Sequence, residues 1–185
     1  MTKLPAEVVA SALAVTTIFI SMTAFHFPPW AIFITWAGTF AAGGPSASLL
    51  KKFWPTMAVG GIFACLIVLC FKLSAQYLSG SAQIAAECVI LFTLNGSMML
   101  LGRLPALSFV PGMFFGFASY FATLFGGFGP APGDPFAALA ASLLMNALGP
   151  IYAWITATYG AHHGHQAEAQ IRLGSASHSA EEAVS

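Results

Sequence analysis

The chain has 185 residues, of which 58% are hydrophobic and only 6% are Asp, Glu, Lys or Arg. A soluble domain carries about 25% charged residues, so this composition excludes a soluble fold. The formal net charge is zero, which gives no reason to expect a nucleic-acid partner. The mean hydropathy of +0.82 instead predicts a protein whose surface contacts lipid.

Six apolar segments follow one another along the chain. A helix needs about 20 apolar residues to cross the hydrocarbon core, and its backbone must satisfy its own hydrogen bonds there. We therefore predict an all-α integral membrane protein with about six transmembrane helices, at residues 6–25, 28–43, 53–73, 82–101, 104–126 and 136–159. Residues 1–160 form the predicted transmembrane domain, and residues 161–185 a polar cytoplasmic tail.

The basic residues predict how these helices are oriented. With six spans and a cytoplasmic N-terminus, one side of the membrane carries five of the six basic residues, namely Lys3, Lys51, Lys52, Arg103 and Arg172. The other side carries only Lys72. Cytoplasmic loops are enriched in Lys and Arg, so both termini are predicted to be cytoplasmic in a bacterial inner membrane.

The second and fifth segments differ from the rest. Pro28-Pro29 opens the second, and Pro111-Gly112 lies in the first two turns predicted for the fifth. Each is the middle helix of a three-helix half, and a weak repeat displaced by about 80 positions relates the halves, as in Phe33-x-x-Trp36 and Phe114-x-x-Phe117. Two inverted three-helix repeats with interrupted second and fifth helices are therefore one interpretation. Chance similarity between Ala- and Phe-rich segments is the other.

Few residues in the predicted spans could carry chemistry. Glu87 is the carboxylate within a span, and it is either a functional group or a headgroup-region residue near a helix N-terminus. Asn95 and Asn146 either line a polar path or hydrogen-bond neighbouring helices. Gly112-x-x-x-Gly116 and Gly60-x-x-x-Ala64 permit close helix packing, within a subunit or between subunits.

Catalytic and metal-binding patterns are not found in the sequence. It has no P-loop, no HExxH motif and no paired carboxylates, so we do not expect an enzyme or a bound cofactor. The cluster His162, His163 and His165 is interpreted as part of a solvated tail rather than as a metal site. Cys65, Cys70 and Cys88 all fall in apolar stretches, where cysteine behaves as a small hydrophobic residue.

The stretches Trp36-Ala37-Gly38-Thr39-Phe40 and Leu107-Ser-Phe-Val-Pro-Gly-Met-Phe-Phe-Gly116 resemble a bacterial inner-membrane family of unknown function, the YcdZ-like family with domain of unknown function 1097. The resemblance covers about residues 8–160, and the Leu-Ser-Phe-Val-Pro-Gly stretch is its most specific part. It implies a small multi-span inner-membrane protein. It implies no activity and therefore no functional residue.

Two functions remain open from the sequence. The first is a channel or transporter for a small neutral or weakly polar solute, because interrupted helices in corresponding positions are the best sequence pointer to a transport site. Its lining would comprise Thr35, Trp36, Thr39, Asn95, Ser108, Pro111, Gly112, Phe114 and Phe117. The second is a non-transporting membrane subunit that assembles with a protein partner. Small-residue faces predict a homo-oligomer in either case.

Overall fold

A computed structural model describes residues 4–161. They form six α-helices, which we number α1 (Ala6–Ser21), α2 (Pro29–Ala41), α3 (Ala47–Ser74), α4 (Gly80–Leu101), α5 (Val110–Phe125) and α6 (Pro135–Tyr159). A 3-10 turn at Pro105–Leu107 precedes α5, and the two-residue strands β1 (Leu4–Pro5) and β2 (Gly160–Ala161) pair in parallel beside α1 and α6. Most of the predicted tail, with its histidines and Arg172, lies outside the described residues, as does Lys3.

The predicted fold class is confirmed: the described part of the chain is an all-α membrane protein. Within residues 4–161, the three helices α3, α4 and α6 are long and apolar enough to cross a bilayer. The other three are shorter, and α2 with its 13 residues is about 20 Å long. That is less than the roughly 30 Å of a hydrocarbon core.

Several predicted helix boundaries are wrong, and local capping explains one of them. Helix α3 begins at Ala47 rather than at residue 53, because the Ser46 hydroxyl accepts a hydrogen bond from the Leu49 N–H (3.2 Å) and caps it. Helix α5 begins at Val110 rather than at residue 104. Helix α1 ends at Ser21 rather than at residue 25.

The late start of α5 corrects the interpretation of Pro111-Gly112 as a break inside a helix. Pro111 lies in the first turn of α5, as Pro29 does in α2. A first-turn proline lacks an N–H that would have no intrahelical partner in any case. Neither helix is interrupted within its own length, so no carbonyl near Leu107 is freed by a kink. Instead, α2 and α5 are short helices, and each begins at its proline or one residue before it.

Glycines bring α3 and α5 into direct backbone contact. A Cβ atom on Gly60 would overlap the carbonyl of Met113, and one on Gly116 would overlap the carbonyl of Met57. Gly112 likewise contacts the Thr56 side chain. The small-residue pairs of the sequence therefore serve packing within the subunit, where close backbone approach maximises van der Waals contact.

A corresponding contact joins α2 and α6. A Cβ atom on Gly149 would overlap the Thr35 hydroxyl and lie 2.7 Å from the carbonyl oxygen of Ile32. Ile32 and Met113 stand at equivalent positions of the proposed repeat, 81 residues apart. Thus the third helix of each half crosses the middle helix of the other half. In each crossing a glycine of the third helix meets the backbone carbonyl at the matching position of the middle helix, Met113 or Ile32.

Further contacts show how the two halves are directed. Along the α2–α5 interface, Gly38 meets the Phe115 ring and Trp30 meets Gly126, so α2 and α5 run antiparallel. Along the α3–α6 interface, Gly61 meets Leu139 and Leu143, while the Cys65 thiol lies 3.8 Å from the Pro135 carbonyl, so these helices are also antiparallel. These directions are those of any up-and-down six-helix bundle, so two inverted three-helix repeats stay a prediction.

Helix α4 lies at the edge of the bundle. It packs chiefly against α3, and Met98 is its one buried residue. Phe92, Ile84 and Val89 are 83%, 64% and 64% exposed. Its counterpart α1 is also peripheral and contacts α6, where the Thr16 and Tyr152 hydroxyls are hydrogen-bonded at 2.5 Å.

The glycine crossing predicts a large effect of one methyl group. Gly60→Ala forces α3 and α5 apart because the new Cβ meets backbone, and overpacking of this kind costs about 1–3 kcal/mol. The matched change Gly96→Ala lies in α4, where a Cβ would meet nothing within 4 Å. It should be neutral or stabilise the helix by about 1 kcal/mol. Thermal unfolding in detergent, followed by size-exclusion chromatography, checks both, and equal melting temperatures for the two variants would contradict the crossing.

The basic residues predict the sidedness of the bundle. Ser79 lies in the α3–α4 connection and Gly133 in the α5–α6 connection, at the same end of the helices. Reporter fusions at both positions are expected to read as external, and fusions near Ser46 and Arg103 as cytoplasmic. A cytoplasmic signal at Ser79 or Gly133 would refute the six-span topology.

Candidate functional site

Three of the predicted solute-binding residues lie together in the core. Thr35 and Thr39 are fully buried, and Trp36 is 7% exposed. The Thr39 hydroxyl donates to the Thr35 carbonyl (2.7 Å), and the Thr35 hydroxyl donates to the Ala31 carbonyl (2.9 Å). The Trp36 ring packs edge-on against Tyr152 of α6, with centroids 5.4 Å apart. These contacts place this face of α2 against α6.

The other predicted residues are not brought to the same place. Gly112 is buried at the α3–α5 crossing, whereas Pro111 and Ser108 are exposed at the beginning of α5. Phe114 is 42% exposed, and Phe117 packs beside Phe121 at the edge of a core cluster. Asn95 is half-exposed on the peripheral helix α4. The predicted lining is therefore spread over the bundle and its surface.

Phe115, rather than Phe114, is the phenylalanine of α5 that contacts α2, and Tyr120 is the fully buried aromatic residue of this helix. Its ring meets Gly38 of α2 and lies 6.0 Å from the ring of Phe53 in α3. The sequence predicts Phe114 and Phe117 instead, because their spacing matches that of Phe33 and Trp36 in α2. Phe33 is 41% exposed, so the matched phenylalanines Phe33 and Phe114 face outward in both halves.

A second hydroxyl pair was missed in the sequence. Ser119 and Thr123 in α5 are fully buried, and the Thr123 hydroxyl donates to the Ser119 carbonyl at 2.7 Å. The pattern repeats that of Thr35 and Thr39, where the second hydroxyl also donates to the carbonyl of the first residue. Hydroxyl residues spaced by four positions in both middle helices are the signal that would have identified this pair.

Four buried side chains carry polar groups that have no hydrogen-bond partner among the described residues: Trp30, Ser119, Tyr120 and Asn146. Two of these are not aromatic, namely the Ser119 hydroxyl and the side-chain amide of Asn146, which is 1% exposed. Ser119 lies on the face of α5 that meets α2, between Phe115 and Gly126 along the helix. Asn146 lies on α6 between the face that meets α2 at Gly149 and the face that meets α3 at Leu143. Both side chains therefore belong to the interior of the bundle.

A polar cleft opens at one end of the bundle. Its volume is about 380 Å³, and it lies where α2 ends and α3 and α5 begin. The lining residues are Ala42, Ser46, Ser48, Leu49, Lys52, Ser108 and Phe109. Predicted site residue Ser108 thus belongs to this cleft, and its hydroxyl donates to the Pro105 carbonyl at 3.0 Å. We call this end of the bundle the Ser46 end, and the opposite end, where α2 and α6 begin, the Trp30 end.

Glu87 has a local partner. It lies on α4, and its carboxylate accepts a hydrogen bond from the Gln83 side chain (3.0 Å) one turn earlier. Gly80 begins this helix, so Glu87 is within two turns of the helix N-terminus. This position is compatible with the headgroup-region interpretation, and it separates Glu87 from the interior groups Ser119 and Asn146.

Comparison with known proteins gives one relationship. No curated protein and no solved structure matches the chain. A family model described as "Protein of unknown function (DUF1097)" matches residues 7–161, which is nearly the whole part of the chain that the structure describes. The match agrees with the resemblance seen at Trp36–Phe40 and Leu107–Gly116, and the likeness to YcdZ-like members within the family stays a prediction. The chain therefore belongs to the DUF1097 family of proteins of unknown function.

Proposed function

We propose that this membrane protein conducts or transports a small neutral or weakly polar solute. The observation that carries the proposal is that Ser119 and Asn146 are among the four buried side chains whose polar groups have no partner among the described residues. A helix break at Pro111 does not support transport, because Pro111 lies in the first turn of α5. The proposed location remains a bacterial inner membrane, with both termini in the cytoplasm.

The energetic argument concerns the Asn146 amide. Leaving a buried donor or acceptor unsatisfied costs about 1–3 kcal/mol, and the side-chain amide has both kinds of group. A membrane bundle can avoid this cost with leucine at the same position. An asparagine in the interior is therefore explained best when a solute or a water molecule that passes through the bundle completes its hydrogen bonds.

The class of solute follows from the other buried groups. Among residues 4–161, the buried polar groups are hydroxyls of Thr, Ser and Tyr, the Trp30 indole N–H and the amide of Asn146, with no buried Asp, Glu, Lys, Arg or His. An ion would require compensating charge in this low-dielectric interior. Hydroxyls and an amide instead match a solute that both donates and accepts hydrogen bonds, such as a small polyol or amide. The polar cleft at the Ser46 end offers such a solute an entrance.

Reconstituted vesicles test the proposal. Vesicles with the protein should take up at least one solute from a panel of small polyols and amides faster than empty vesicles, as measured by stopped-flow light scattering. Asn146→Leu should reduce this rate about tenfold, the effect of losing one buried hydrogen bond to the solute. Because the change removes an unpaired amide, its melting temperature should not fall.

A matched serine pair controls the experiment. Ser119→Ala should slow uptake because Ser119 is an interior group, whereas Ser97→Ala should not. Ser97 lies on the peripheral helix α4, and its hydroxyl donates to the Thr93 carbonyl of the same helix at 2.8 Å. If no solute enters faster than into empty vesicles, or if both serine variants behave alike, the transport proposal fails.

The exposure of α4 favours a second candidate, a membrane subunit that assembles with a protein partner. We propose a second copy of this chain as that partner. The face of α4 away from α3 carries Phe92 and Val89, which are 83% and 64% exposed. Apolar side chains on one exposed helix can associate with a second copy through van der Waals packing in lipid. Transport and self-association are compatible with each other.

Phe92→Ala should then lower the oligomeric fraction in mild detergent, because it removes the most exposed aromatic ring of α4 from the interface. Phe125→Ala is the matched control, since Phe125 is 75% exposed at the end of α5. Light scattering coupled to size-exclusion chromatography measures the mass. A monomeric wild-type protein, or the same loss of oligomer in both variants, would contradict assembly through α4.

A further inference from the structure

The two middle helices end in the same hydrogen-bonded turn. At the end of α2, the N–H groups of Ala42, Gly43 and Gly44 donate to the carbonyls of Gly38, Phe40 and Thr39 at 3.0 Å each. At the end of α5, the N–H groups of Gly126, Gly127 and Phe128 donate to the carbonyls of Ala122, Leu124 and Thr123, at 2.9, 3.2 and 3.0 Å. This is the Schellman pattern, in which a glycine with positive φ turns the chain back over the helix end.

Gly44 and Phe128 occupy the same position in the two turns, but only Phe128 has a side chain that can cover the end of the bundle. A Cβ on Gly44 would meet nothing within 4 Å, and the polar cleft lies open beside it. Phe128 instead turns its ring onto the edge of Trp30, with centroids 4.1 Å apart. The next residue, Gly129, is buried, and its N–H donates to the His26 carbonyl at 2.9 Å. The Ser46 end therefore has a polar cleft beside its turn, whereas Phe128 covers the turn at the Trp30 end. A cavity of about 280 Å³ at the Trp30 end is lined mainly by apolar residues, among them Val68, Leu124 and Phe125.

Trp30 is held in the covered end. Its ring meets Gly126 of α5 as well as Phe128, and its indole N–H is buried without a hydrogen-bond partner among the described residues. At the offset of 81 residues that relates Ile32 to Met113, the position matching Trp30 is Pro111, which is exposed. The aromatic pair at the Ser46 end is instead formed by Phe53 of α3 and Phe109, which are stacked with centroids 5.3 Å apart. Phe109 lines the polar cleft, so this pair borders an opening, whereas Phe128 lies over Trp30.

We propose that Trp30 and Phe128 form a gate across the solute route, closed in this structure and opposite the polar cleft at the Ser46 end. The inference rests on the proposed transport function and specifies its control. Inverted repeats allow each end to adopt in turn the state of the other, which is the basis of alternating access. The mobile part of the gate is the segment Gly127–Gly129, whose glycines have φ of 71° and 102°. Glycine at such angles permits the turn to change without the clash of a side chain.

Opening requires few contacts to be broken. Phe128 leaves Trp30, and the hydrogen bond between Gly129 and His26 is exchanged for one to water. Loops that gate an active or binding site commonly move with such small energies on the microsecond to millisecond scale. When closed, the two rings exclude water from the route toward Ser119. This residue lies about two turns before the end of α5, on the bundle side of the rings.

Thiol labelling tests the gate without knowledge of the solute. Cys65, Cys70 and Cys88 are replaced by alanine, and Ser119→Cys then reports access to the interior. A membrane-impermeant methanethiosulfonate is added to intact cells and, separately, to inverted membranes. Ser79→Cys identifies the side that faces the Trp30 end. From this side, Phe128→Ala should raise the labelling rate at position 119 about tenfold, as the aromatic pair no longer favours the closed state.

Two further variants make the result specific. Phe136→Ala removes an exposed ring at the same end of the bundle and should not change the rate. Trp30→Phe keeps a smaller ring in the gate and should give a smaller rise from the same side, which preserves the test if Phe128→Ala does not fold. An unchanged rate in Phe128→Ala, the same rise in Phe136→Ala, or an equal rise from both sides would overturn the gate. Failure of solute uptake with labelling as expected would instead refute the transported solute class and leave the gate in place.

Discussion

Contact between backbones at glycines is the constraint on which the rest of the bundle depends. In lipid, apolar side chains gain little by leaving the surrounding hydrocarbon, so helices associate through close packing instead. Gly60 and Gly116 allow α3 and α5 to touch through their backbones, and Gly149 does the same for α6 and α2. These two crossings join each middle helix to the third helix of the other half. They therefore interlock the halves and hold the short helices α2 and α5 in the interior.

This interlock determines which polar groups become buried. The hydroxyls of Thr35, Thr39 and Thr123 donate to carbonyls of their own helices, so they are satisfied without a neighbour. Ser119 and Asn146 differ, because no described residue satisfies them. Asparagine cannot be satisfied by one local carbonyl, since its amide needs both donors and an acceptor. A bundle that retains this residue at its centre has a reason beyond packing, and solute passage is the reason proposed here.

The differences between the halves matter as much as their likeness. A shared backbone turn at the ends of α2 and α5 shows how one architecture serves both ends of the bundle. The two turns differ at one position, where α2 is followed by Gly44 and α5 by Phe128, whose ring packs on Trp30. The proposed gate rests on this difference between two otherwise matched turns. The same reasoning separates α4, which is largely exposed, from the core that the two crossings define.

Composition and hydropathy by themselves determined the membrane class and the presence of six helices, because lipid demands apolar surfaces and helical backbones wherever the chain crosses it. The order of the segments also led to Thr35, Trp36 and Thr39 as predicted lining of a solute site, and the sequence marked glycines as sites of close packing. The tertiary structure decided which glycine meets which carbonyl, that Pro111 begins a helix instead of breaking one, and that Phe115 rather than Phe114 faces inward. It also decided that Asn146 has no partner among the described residues while Asn95 lies at the edge. The physical reason is that periodicity specifies one face of a helix, whereas burial and hydrogen bonding depend on neighbours far away in the chain.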